Sequence, residues 1–173
     1  MEQKKPMTHV TAGLLIAAII VVFAIATQFL GMAQQRSIGL LQYVLIIGGL
    51  IYFVNQYGKA HDYTKSFGNL FSFGFKSTAV YTVIFIIFLI IFFLIFPDLK
   101  EKTFEAARTE MEKNEKFTDE QIDDAMAITK KFFWVGVVGG SMLVLIIVGC
   151  IGSLLGAAIT KKRPQNPLEQ LSV

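Results

Sequence analysis

Four stretches of the chain carry no charged residue and are dense in aliphatic and aromatic side chains: 10–35, with an apolar heart at 10–26, then 38–54, 77–96 and 132–160. A helix needs roughly 20 residues to cross about 30 Å of hydrocarbon at 1.5 Å per residue. Each stretch reaches or approaches that length. The pattern therefore predicts an all-α membrane protein, a single membrane domain of four transmembrane helices near 8–32, 37–56, 70–96 and 130–160. Pro6, Pro97, Pro164 and Pro167 all stand outside the apolar cores, as unbroken helices require, and Pro97 marks the end of the third.

A different periodicity governs the polar connection between the third and fourth stretches. Phe104, Ala107 and Met111 recur at helical spacing among Glu and Lys, which makes a narrow apolar face. Thr118-Asp119-Glu120-Gln121 then reads as a capping box, with Phe117 and Ile122 placed for a hydrophobic staple. From there Ile122, Ala125, Met126 and Thr129 lead into Phe132 and Phe133 without a break. The fourth span is expected to begin as this helix, above the membrane, and 98–131 to form a helical hairpin on the outer face. A weaker amphipathic stretch, 66–75, mixes phenylalanine with glycine and polar residues and suits the bilayer interface. Lys76 follows it, close enough to snorkel into headgroups.

Composition agrees with this reading. Hydrophobic residues make up 54% and charged residues 17% of the 173 residues, against roughly 45–50% and about 25% in soluble domains. The excess must face lipid. The one cysteine, Cys150, rules out an internal disulfide and a cysteine-built metal cluster, and a thiol inside a span usually serves as a small apolar filler.

Charge gives the orientation. Four spans put the N-terminal tail, the second connection and the tail 161–173 on one side, with eight basic and three acidic residues, a balance of +5. Arg36 and 97–131 fall on the other side, with eight basic and ten acidic residues, a balance of −2. Orientation follows basic residues rather than net charge, so the equal totals leave the density of short flanks such as Lys161-Lys162-Arg163 to decide. Both termini are expected in the cytoplasm and the hairpin outside it. Lys4 and Lys5 before an apolar run, with Ala24-Ile25-Ala26 after it, also fit a signal peptide. The uncharged run continues through Phe29-Leu30-Gly31, longer than a usual signal core, which favours an uncleaved span.

None of the four charge-free cores contains Asp, Glu, Arg or His, the usual mark of proton relays and ion-coupled sites. His9 and His61 lie near membrane boundaries without a histidine partner at helical spacing, so headgroup contact is expected rather than a haem or zinc site. The densest polar cluster, Ser77, Thr78, Tyr81 and Thr82, is the candidate polar pocket, although hydroxyls in spans also bond their own helix or a neighbour. The candidate helix-packing residues lie in the fourth span. Gly136 and Gly140 form one GxxxG, Gly152 and Gly156 another, with Gly149 and Ser153 a small pair between them. Such a stripe serves either a dimer face or packing against the chain's own spans.

No nucleophile–base pair, phosphate loop or metal-ligand spacing appears, so no catalytic, cofactor-binding or metal-binding residue is assigned and no cofactor is expected. Nucleic-acid binding lacks a basic folded surface. The leading expectation is a non-enzymatic scaffold or partner-binding protein, acting through helix packing, as a homo-oligomer, or through 98–131 on a membrane or periplasmic protein. The alternative is a small transporter or channel for neutral or lipophilic solutes, as one chain or an oligomer, which needs a polar lining through Gln28, Gln42, Tyr81 and Ser141. A membrane enzyme is the third reading, and no acid, base or metal constellation supports it.

The run Phe96-Pro97-Asp98-Leu99, the acidic-basic helix after it, Thr118 to Ile122 with Ala125-Met126, and Lys130-Lys131-Phe132 resemble an uncharacterised bacterial family. So do Gly68 with Gly74-Phe75 before the third span and Lys161-Lys162-Arg163 after the fourth. The family is the domain-of-unknown-function family four-one-nine-nine, small four-span proteins of Bacteroidetes. The resemblance implies a Gram-negative inner membrane and transfers no activity, cofactor or catalytic residue.

Overall fold

The computed structural model describes residues 7–33, 35–113 and 117–163, with the backbone alone at Arg36. Lys4, Lys5, Pro6, Lys116 and the tail from Pro164 onward lie outside the described residues. Within them the chain forms six α-helices and no strand: α1 (His9–Phe29), α2 (Arg36–Ala60), α3 (Phe67–Ile95), α4 (Asp98–Glu112), α5 (Asp119–Lys131) and α6 (Phe133–Ile159). Helices α1, α2, α3 and α6 are long and apolar enough to cross a membrane. This is the build of a multi-pass membrane protein. The amphipathic stretch 66–75 falls in the first turns of α3, which starts at Phe67 and buries Leu70 and Phe73.

The chain divides into two compact units, one of Met1–Phe85 with Leu145–Val173 and one of Ile86–Val144. In the first unit, local chemistry sets the helix ends. The Thr8 side chain accepts from the Thr11 N–H at 3.1 Å and starts α1. Gly31, at φ +68°, closes α1 with a Schellman motif in which the Met32 N–H reaches the Thr27 carbonyl at 2.9 Å. Helix α2 stops where Asp62 and Tyr63 take φ values of 52° and 60°, conformations that disfavour any residue with a Cβ. Among the bonds that hold that turn, the Tyr63 N–H donates to the Gly58 carbonyl and the Arg163 N–H to the Tyr63 carbonyl, each at 2.9 Å. The core of this unit is Ile16, Ile20, Ile46, Leu50, Val54, Leu70 and Tyr81, all buried.

In the second unit α4 and α5 pack side by side. Both halves of the capping box form: the Gln121 N–H donates to Thr118 Oγ1 at 3.3 Å, and the Thr118 N–H to Gln121 Oε1 at 3.1 Å. Ile122 and Met126 are buried behind this cap, while Phe117 stays half exposed. Arg108 on α4 donates to Glu112 at 2.8 Å and pairs across to Asp123 on α5 at 3.0 Å. The Glu112 hydrogen bond, then the charge of Asp123, raises the guanidinium pKa further above its ordinary value.

The expectation of an unbroken run from α5 into the fourth span is corrected here. Phe132 leaves helical geometry at φ −103°, ψ 16°, and α6 starts afresh at Phe133. Aromatic packing accounts for the break. Phe133 is buried against Phe93 and Phe104, its ring 5.3 and 5.2 Å from theirs in edge-to-face arrangements, while Phe132 stays outside, half exposed. Burying one large ring in such contacts outweighs a local interruption of the backbone ladder.

Candidate functional site

The four residues of the candidate polar pocket sit on one buried face of α3, and most of their polarity is already used. Ser77 Oγ donates to the Phe73 carbonyl at 2.9 Å and Thr78 Oγ1 to the Gly74 carbonyl at 3.1 Å. Both therefore bond their own helix. The Tyr81 hydroxyl crosses to α6 and donates to the Leu145 carbonyl at 3.0 Å. Thr82 is the exception, since its buried Oγ1 finds no hydrogen-bond partner among the described residues. The cluster is thus an interhelical seam with one orphan hydroxyl. Gln28 and Gln42 are half-buried elsewhere in the same unit.

The glycines of α6 separate into two classes. A Cβ on Gly149 would collide with Thr78 and the Tyr81 hydroxyl. One on Gly152 would lie 2.8 Å from Leu50 Cδ1, and one on Gly156 3.0 Å from Val54 Cβ. Ser153, fully buried, donates to the Gly149 carbonyl and stands where a Cβ on Gly74 would fall, 2.8 Å from that position. These four residues let α6 approach α2 and α3 closely, which is how helices associate where lipid offers no hydrophobic drive. Around Gly136 and Gly140 a Cβ would meet nothing within 4 Å. The same spacing therefore serves internal packing at one end of α6 and leaves an open face at the other.

The second unit holds an open apolar cleft of about 470 Å³, walled by Phe104 and Ala107 of α4, Ile128 of α5, Phe132, and Val135 and Gly136 of α6. Lysines rim it. Lys100 Nζ lies 5.0 Å from the centre of the Phe133 ring, Lys130 Nζ 6.0 Å from that of Phe104, and Lys131 Nζ 5.6 Å from that of Phe132. These are cation–π distances.

A third feature joins residues far apart in the chain. The start of α1, the end of α2 and the start of α3 together wall an open cleft of about 370 Å³ that brings His9, His61 and Lys76 together with Tyr57, Asn69 and Ser72. His61 Nδ1 lies 2.8 Å from the Tyr57 carbonyl, which can only accept, so Nδ1 carries the proton and donates. Its ring packs 4.4 Å from that of Tyr57, which stacks in turn on Phe73 at 4.2 Å. The signal was present in the sequence only as polar residues at three separate span ends. Four-span topology places those ends together. Among the described residues no group of three or more His, Cys, Asp or Glu side chains is arranged to hold a metal.

One family, described as protein of unknown function (DUF4199), matches residues 11–162 of the chain. No curated protein and no solved structure matches it.

Proposed function

We propose, from the premise that this chain belongs to the DUF4199 family of proteins of unknown function, that it is a non-enzymatic inner-membrane protein that binds a protein partner through its α4–α5 hairpin. Both termini then lie in the cytoplasm and the hairpin outside it. The observation that carries the reading is the apolar cleft, with lysines against its rings, beside a hairpin that carries a capping box and an Arg108–Asp123 pair. An occupant that suits it presents apolar side chains to Phe104, Ala107 and Ile128 and acidic residues to Lys100, Lys130 and Lys131. The transport reading has less to rest on, because Ser77, Thr78 and Tyr81 spend their hydroxyls on backbone carbonyls.

A photo-crosslinking residue at Ala107 of the full-length protein in its own membrane tests the partner reading. The expected result is a discrete protein adduct that disappears in the Lys130→Glu, Lys131→Glu double variant at unchanged membrane abundance. Adducts with lipid alone, or a protein adduct indifferent to those charges, overturn it. Orientation is tested with an impermeant maleimide in a Cys150→Ala background. Glu112→Cys should label from outside and Lys162→Cys only after permeabilisation, and the reverse pattern rejects the assignment.

A further inference from the structure

We infer that the cleft formed by His9, His61 and Lys76 binds a phosphate group, carried either by the headgroup of a membrane lipid or by a soluble phosphate ester. Charge is the first argument. Lys76 places an ammonium in the wall and none of the residues lining the cleft is acidic. The surrounding end of the same unit is basic as well: Lys59, Lys65, Lys161, Lys162 and Arg163 face one acid, Asp62, among the described residues. The tie from Arg163 to Tyr63 holds the basic tail beside the α2–α3 turn. A cation would meet repulsion here, whereas an anion gains a charge-assisted contact.

Donor chemistry is the second argument. The Asn69 amide, the Ser72 hydroxyl and the Lys76 ammonium supply N–H and O–H groups from one helix, with the rings of His9 and His61 beside them. A phosphate diester offers acceptors only, so these three donors suit it. The wall is also ordered in advance. The Tyr57 carbonyl fixes one nitrogen of His61, and the Phe73–Tyr57–His61 stack fixes the plane of its ring. That ring has little conformational freedom left to lose on binding. A volume of about 370 Å³ accommodates a phosphate with a small polar substituent.

None of these residues lies on the hairpin, so the inference stands apart from the partner reading. Native mass spectrometry of the full-length protein, released from mild detergent, measures retention of phosphatidylglycerol, with diacylglycerol as the phosphate-free arm and glycerol 3-phosphate as soluble competitor. The wild-type protein should retain phosphatidylglycerol in preference to diacylglycerol. Lys76→Gln should weaken retention about tenfold, the size of a lost hydrogen bond to a charged group. His9→Gln with His61→Gln should weaken it further, Lys76→Arg should restore it, and Lys162→Gln should leave it unchanged. Displacement by glycerol 3-phosphate identifies a soluble ester as the source and its failure to displace identifies the headgroup, and both outcomes support a phosphate site. The inference is overturned if Lys76→Gln binds as wild type, if Lys162→Gln weakens binding equally, or if diacylglycerol is held as firmly.

Discussion

The Tyr81 hydroxyl donates to the Leu145 carbonyl at 3.0 Å, joining α3 to α6 where neither group meets solvent. Interhelical hydrogen bonds within membranes contribute about 0.6 kcal/mol on average and at most about 1.7. Tyr81→Phe should therefore lower the stability of the detergent-solubilised protein by about 1 kcal/mol while leaving its helix content unchanged. Denaturant unfolding followed by circular dichroism measures this, and an unchanged midpoint would mean that the bond adds nothing to the intrahelical bonding of that carbonyl.

The two glycine classes predict opposite results for one substitution. Gly149→Ala drives a methyl into Thr78 and Tyr81 and should cost about 1–3 kcal/mol, as overpacking does. Gly140→Ala meets nothing within 4 Å and should stay within about 0.5 kcal/mol of wild type. Unfolding midpoints compare the two directly. Sedimentation in detergent adds a second reading: a lower dimer fraction in Gly140→Ala at constant stability would mark the open face of α6 as a contact between copies.

Thr82 offers a test of sign. Its buried Oγ1 has no partner among the described residues, and an unsatisfied buried hydroxyl costs about 1–3 kcal/mol. Thr82→Val keeps the shape and removes the hydroxyl, so it should stabilise the protein. A stability loss on thermal unfolding would show that the hydroxyl serves a bound molecule.

At the hairpin, Thr118→Ala removes one half of the capping box and should cost about 1 kcal/mol locally. Amide exchange across α5 should rise about fivefold, a factor set by that free energy. Ile122 and Met126 stay buried, so the hairpin should persist. Unaltered protection in α5 would mean that the helix start does not depend on the cap.

The apolar cores of α1, α2, α3 and α6 and the cap at Thr118 could be read from the chain because each depends on neighbours within one turn or one run. The break at Phe132 could not, because helical spacing runs straight through it and the cause is Phe133 meeting Phe93 and Phe104 from other helices. Gly136 and Gly149 looked alike for the same reason. A spacing rule records which residues share a face, but what that face meets depends on Thr78 and Tyr81 of another helix. No local period relates His9 to His61, and only three helix ends meeting in space make them neighbours.

The packing of α6 bears on how the protein is made. Helix α6 follows α2 and α3 along the chain, and until 145–159 arrives the grooves around Leu50, Val54 and Thr78 lack the helix that fills them and the Tyr81 hydroxyl lacks the Leu145 carbonyl. A nascent chain at that stage lacks the hydrogen bond that joins α3 to α6. The seam between α6 and the helices before it therefore forms as a late contact, made only once residues far apart in the chain are all present.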